Sequence, residues 1–325
     1  MIFDKDIVYH TPDPCPFDWA ETNYFYFYVP EAHLMGWVYF VARPGVGSMV
    51  SDIQFISDIS TNPLDALYSD IQQHLPIPLK LEEFSLPNGL EYKAHNIRDY
   101  RLDYIGVDNT ELHLDVYGLM EPFDIHDPEM DPLAKSNKEE SIKNSGFGAA
   151  YANHFDMTCK VVGAITVRGK TYNVNCVSTM DHSWGPRPQR GMAPMAWINA
   201  HFGEDYAVHS IWSYEPRANP EQQFKLAHGY ALVDGCVKGF VKGEMVVLRS
   251  KFDRFGIAFH QKFTDSDGEE YNLFGSPISL HLWAPYSCTH VPNTFIRWQS
   301  GDRVGYGNSQ ENNPLDRETG SRKGA

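Results

Sequence analysis

"ETNYFYFYVPEAHLMGWVYFVARP", residues 21 to 44, alternates side-chain types with a period of two on either side of a break carrying Pro30. That period sends successive side chains to opposite faces, which is the mark of a strand and not of a helix. Trp37 and Tyr39 fall on one face and Val38 and Phe40 on the other, so the stretch predicts two strands joined through "VPEAHLMG". Moving outward, "YRLDYIGVDNTELHLDVYGLM" (100–120) repeats the plan around "VDNT", and "HFDMTCKVVGAITVRGKTYNVNCVSTM" (154–180) repeats it around "RGKT". Both read as antiparallel hairpins. The second half continues in the same rhythm through "MAWINAHFGEDYAVHSIWSY" (195–214), "KLAHGYALVDGCVKGFVKGEMVVLRS" (225–250) and "GIAFHQKFTDSDGEEYNLFGS" (256–276), punctuated by Asp-Gly, Lys-Gly and Ser-Gly pairs.

One stretch, "TNPLDALYSDIQQHL" (61–75), spaces Leu64, Leu67 and Ile71 as a helix would, with Pro63 near its first turn. Residues 122–148 are dense in Pro, Ser and charge and predict a long loop with a short helical turn at 137–143, and the tail after about 312 is polar and expected to fray. The fold class that follows is all-β: two antiparallel domains, barrels or a barrel plus a sandwich, with one short helix. The division falls in "PRPQRGMAP" (186–194), giving domains 1–190 and 191–325.

Composition narrows the function. Of 325 residues, 42% are hydrophobic and 14% aromatic, ample for two cores, and 27 Lys plus Arg against 42 Asp plus Glu leave a net charge of −15. No basic run exceeds "RKG" near the C-terminus, so no nucleic-acid partner is expected. No stretch approaches the length of a membrane span, and "MIFDKDIVYHTPDP" lacks the basic start of a leader, so a cytoplasmic protein is expected. The five cysteines (Cys15, Cys159, Cys176, Cys236, Cys288) show no C-x-x-C spacing and read as reduced thiols. With no H-x-H or H-E-x-x-H, no metal site is expected; "RPGVGS" (43–48) is not a phosphate loop, and no G-x-S-x-G elbow occurs. No cofactor is predicted.

The candidate chemistry lies in "MDHSWGPR", residues 180–187. Its Asp, Ser, Gly and Pro suit a plain turn. Its functional reading needs an extended chain: His182 and Trp184, two apart, then share a face, setting an indole surface beside a proton donor, with Asp181 to orient the imidazole and Arg187 to anchor a carbonyl or carboxylate. The string Asp181, His182, Ser183, Trp184 resembles the D-H-x-W of the carotenoid hydratase (hydroxyneurosporene synthase) family and its lipocalin-like relatives. "RWQSGDRVGYGNSQE" (297–311) is similar to the closing G-x-G-Y-x-E strand of that group. The resemblance implies two lipocalin-like, calycin-type barrels in tandem and functional roles for His182 and Trp184. That family also places a Tyr and an Asp one residue apart further on; this chain departs there, with Asp205, Tyr206 and His209 in "HFGEDYAVHSIW" (201–212).

If Gly203-Glu204 forms a two-residue turn, Trp197, Asn199, His201, Tyr206, Ser210 and Trp212 share a pocket-like face, while Ile198, Ala200, Phe202, Asp205, Ala207, His209 and Ile211 share a packing face. Tyr206 is taken as the second acid–base group, with Trp197, Asn199, His201, His209, Trp212 and Arg187 as substrate-binding candidates. The remaining histidines, His10 and His154 among them, are read as structural or surface residues. The leading expectation is a cofactor-independent hydratase or dehydratase acting on a small apolar unsaturated substrate of terpenoid or polyketide type, with His182 exchanging the proton. An isomerase or cyclase on the same scaffold, and a non-catalytic carrier of an apolar ligand, are the alternatives.

Overall fold

The computed structural model describes residues 2–135, 139–140, 150, 152–188, 190–251 and 255–315. The chain forms two compact units: Met1–Ser57 with Ala66–Asp124 and Tyr151–Arg187, and Asp58–Asp65 with Ile125–Ala150 and Pro188–Ala325. The second unit thus takes in 58–65 and 125–150, excursions that a single cut after residue 190 leaves in the first half.

Unit 1 is built from β1 (Trp19–Val29), β2 (Leu34–Arg43), β3 (Ser48–Ile56), β4 (Tyr68–Pro76), β5 (Glu83–Ser85), β6 (Leu90–Ala94), β7 (Asp99–Ile105), β8 (Glu111–Gly118), β9 (Phe123–Asp124), β10 (Asn153–Val167) and β11 (Lys170–Pro186). They form one antiparallel sheet in the order β4-β3-β2-β1-β11-β10-β8-β7-β6-β5, with β9 paired to β10. The sheet curls into a half-barrel. Phe25 on β1 meets Tyr100 on β7 at 5.3 Å between ring centres, and Phe40 on β2 meets Tyr92 on β6 at 4.8 Å, although these strands are far apart in the hydrogen-bonded order. Burying such rings on the concave face drives the curl, and each contributes about 1.5–3 kcal/mol of transfer free energy.

Unit 2 is a closed eight-stranded barrel: β12 (Met195–His201), β13 (Tyr206–Tyr214), β14 (Phe224–Val233), β15 (Cys236–Arg249), β16 (Gly256–Asp265), β17 (Glu270–Tyr286), β18 (Thr289–Ser300) and β19 (Arg303–Pro314), with β19 returning to β12. Its core holds Ile198, Val208, Trp212, Phe240, Phe263 and Trp298. Closure leaves this unit without a free sheet edge.

Several turns follow from local chemistry. Arg168-Gly169 and Asp234-Gly235 adopt positive φ at both positions, the geometry of a two-residue hairpin turn whose twist matches its strands, and Asp108-Asn109 does so within the three-residue loop between β7 and β8. The helix expected at 61–75 does not form. A single 3-10 turn, Pro63–Asp65, is followed by β4, which pairs with β3. The helical spacing is misleading because Leu64 and Ile71 are exposed and have no core to face; satisfying the backbone edge of β3 decides the conformation. The turn expected at 137–143 lies, apart from 139–140, outside the described residues; β19 keeps the chain paired to Pro314, and the tail expected to fray lies, beyond 315, outside the described residues. Among the described residues no helix is long and apolar enough to cross a membrane.

Candidate functional site

"MDHSWGP" is not a turn. Residues 180–186 are the extended end of β11, paired on one side with β1 and on the other with β10. Alternation therefore splits the motif between two faces.

His182 and Trp184 point into the concave face, their rings 5.0 Å apart, with Phe155 at 5.6 Å from the imidazole. Asp181 points the other way. The role expected for it, orienting His182, fails for this reason: neighbours in a strand cannot share a face. Burial holds the His182 imidazole well below its ordinary range, with the positive fields of His10 and His154 adding to the effect, so it is neutral.

On the opposite face Asp181 meets a different set. Its cross-strand partner is Asp156, and His154, two residues earlier on β10, bonds the Asp156 carboxylate through Nε2 at 3.0 Å. His154 and Asp156 are fully buried, whereas Asp181 is only partly so. Two carboxylates placed directly opposite each other on a strand pair repel, so one of them tends to keep its proton. Burial pushes the Asp181 carboxyl up to about 7, and the Asp156 charge adds to this against the pull of His154 and Arg187. His154 is raised: the loss of water opposes its charge, but the Asp156 carboxylate prevails. Further along the same face, Arg187 donates through Nη2 to Ser183 Oγ at 2.6 Å, and that hydroxyl also bonds Thr22 Oγ1 at 2.8 Å. Tyr24 is in register with Asp181, and Tyr26, Tyr28, Trp37 and Tyr39 continue the face as an aromatic wall. Its Tyr24–Tyr26 and Tyr24–Tyr39 ring separations are 6.0 and 6.2 Å.

In unit 2 the register of β12 and β13 differs from the expected one. His201 pairs with Ala207 and Asn199 with His209, because the turn contains three residues, closed by Phe202 N–H donating to Tyr206 O at 2.9 Å. An odd loop inverts which residues of the second strand face which side. Trp197, Asn199, His201 and His209 consequently share one buried face, where Asn199 Oδ1 accepts from the Asn308 amide at 3.0 Å and His201 donates to Tyr306 O at 3.2 Å. Burial pulls His201 down to about 3. Trp212 lies instead in the barrel core, with its Nε1 donating to Ser210 Oγ at 2.9 Å. Tyr206 also leaves the expected face: it stacks on Phe202 at 4.7 Å and its hydroxyl bonds Ser300, with the Arg303 guanidinium over the ring.

A family model described as "Domain of unknown function (DUF7064)" matches residues 4–315. The chain belongs to this family. No curated protein matches this chain. Among solved structures, an AttH-like protein from Nitrosomonas europaea superposes with a TM-score of 0.53 at 12% identity, over 90% of this chain and 91% of its own. Kievitone hydratase from Nectria haematococca gives 0.54 at 11% identity, over 90% and 88%. CghA with Sch210972 gives 0.52 at 11% identity, over 92% and 89%. At such identities the likeness is one of fold: this DUF7064 chain has the lipocalin-like tandem-barrel fold.

Sequence reasoning missed two groups. His154 and Asp156 carry an H-x-D spacing at the start of β10 that places both on one face, a signal that was present in "HFDMTCKVV". His10 and Glu21 gave none. Yet one donor atom each from His10, Glu21 and His182 lies within 4.8 Å of the others, a constellation of metal-ligand type that the missing short-range spacing argued against. Such sets assemble from distant segments as readily as from adjacent ones.

Proposed function

We propose that this protein is a hydratase or dehydratase, adding water to or removing it from a carbon–carbon double bond of a small unsaturated substrate, with the proton transfers carried by side chains. The observation that carries this reading is the cross-strand pair Asp156 and Asp181 with His154 bonded to Asp156: a carboxyl raised to about 7 stands beside a buried imidazole–carboxylate pair, as acid–base catalysis requires. In the hydration direction the Asp181 carboxyl gives its proton to one alkene carbon. Water attacks the other carbon, and its surplus proton passes to the carboxylate so formed or to the His154–Asp156 pair, restoring neutrality. Positive charge developing on the substrate is stabilised by the aromatic wall of Tyr24, Tyr26 and Tyr39, and Arg187 holds a carbonyl or carboxylate. Asp181, the least buried of the three, is the member a substrate reaches. The fold shared with kievitone hydratase is consistent with this class of reaction.

The test is incubation of the purified protein with apolar alkenes and conjugated enones in D2O, read by mass spectrometry. Gain of the elements of water with deuterium on carbon is expected, and Asp181→Asn should lower turnover by about 10² to 10⁴. Bound but unchanged substrates across the panel would instead indicate a carrier.

A further inference from the structure

The concave face of the β1–β11 pair holds a second constellation. Glu21 is in register with Trp184 and Asn23 with His182, so all four side chains leave the same side. His10, from the segment preceding β1, lies flat on Trp184 at 3.8 Å with planes 6° apart, and its ring is 5.9 Å from that of His182. Glu21 is fully buried and receives the His10 N–H at 2.8 and 3.1 Å, the Trp19 indole at 3.2 Å and the Thr11 hydroxyl at 3.4 Å.

We propose that His10, Glu21 and His182 form a binding site for a divalent transition-metal cation of the zinc class, which clasps the N-terminal segment onto the β1–β11 pair. Two nitrogens and one carboxylate are a donor set zinc takes. His182 is 3% exposed and its Nε2 makes no hydrogen bond, and the Asn23 amide, 1% exposed, makes none through either its nitrogen or its oxygen. Buried polar groups without partners are rare, and here two of them stand in register on the face that carries Glu21. The His10 ring adds a separate argument. Its Nε2 faces Asp6 Oδ1 at 3.3 Å and its Nδ1 faces Glu21 Oε2 at 3.2 Å, but a neutral imidazole donates from one nitrogen. With Nε2–H given to Asp6, the Nδ1 lone pair confronts a carboxylate oxygen, a conflict that a cation between them removes. An outer carboxylate bonded to the far nitrogen is also the usual support of a ligating histidine. Ligand atoms of a tetrahedral zinc site lie roughly 3.4 Å apart. The three donors, now within 4.8 Å, therefore close in by rotamer shifts on binding. Because this face is opposite to that of Asp181, the site stands or falls independently of the hydratase reading.

The experiment is calorimetric titration of the chelator-treated full chain with Zn²⁺ alone, with Co²⁺ absorption in the visible as the report of coordination geometry. One equivalent bound at micromolar affinity or tighter, with the intense bands of a four-coordinate cobalt site, is expected. His10→Ala and Glu21→Gln should each weaken zinc binding by about 10²-fold or more, and Asp6→Asn by about 10- to 100-fold. His10 lies outside the sheet, so the circular dichroism of His10→Ala should match the parent's and keep the comparison valid. Absence of saturable binding, as a purely protonated His10 clasp would give, overturns the proposal; so does zinc bound equally well by His10→Ala and Glu21→Gln, which would place it on other histidines.

Discussion

Asp181 is where the sequence's chemistry and the strand's geometry part. Its carboxyl is raised to about 7, so the folded chain binds a proton that the unfolded chain releases near its ordinary carboxylate value. Folded stability from this group is then complete at low pH and declines as pH rises through the folded value. Asp181→Asn removes that decline: the variant should be more stable than the parent above about pH 7, by on the order of a few kcal/mol, with the difference closing below about pH 4. Denaturant melts across that range measure it, and a difference independent of pH would contradict the assignment. His154, also raised, weakens stability in the same direction and persists in the variant. Asp156→Asn should drop His154 by removing the carboxylate that raises it, and a pH–activity profile should show the limb belonging to His154 moved to lower pH.

At the scale of elements, turns decide which side chains share a face. The pair Asp156 and Asp181 was legible in principle: counting back along both strands from the two-residue turn Arg168-Gly169 sets them opposite each other. The β12–β13 hairpin was not, because Gly203-Glu204-Asp205 reads equally well as a two- or three-residue loop. What selects three is outside the hairpin: Asp205 forms a two-point bridge to Arg303 at 2.7 Å for both bonds, and its carbonyl accepts from Asp234 N–H at 2.8 Å. That bridge is exposed, so Asp205→Ala should cost about 1 kcal/mol or less. Gly203 has φ of +148°, and a Cβ there would stand 2.6 Å from Asp205 Oδ1. Gly203→Val should therefore cost more than Asp205→Ala, by about 1–3 kcal/mol in equilibrium unfolding.

For the whole molecule, closure of unit 2 depends on how closely β19 approaches β12. A Cβ on Gly307 would come within 1.9 Å of Asn199 O, a backbone atom that cannot turn aside. Gly307→Val should destabilise the protein by roughly 3 kcal/mol or more, whereas Gly301→Ala, at a turn with nothing near its Cβ, should cost about 1 kcal/mol; thermal melts of both variants provide the comparison.

By itself the sequence determined the strands, their antiparallel order and the tight hairpins, because a period of two and turn residues with positive φ are properties of neighbouring residues. It also placed His182 and Trp184 on one face, since that needs only an extended chain. Tertiary structure decided the rest. The segment 61–75 became a strand because an open edge was available, and the curl of the half-barrel brought β1 and β2 rings onto those of β6 and β7. Closure brought β19 beside β12. His10 reached Trp184 and Glu21 through a chain path that no pattern of neighbours encodes. Each of these depends on pairing between residues remote in the chain, where the free energy comes from burial and from satisfied backbone groups and local preference is too weak to choose.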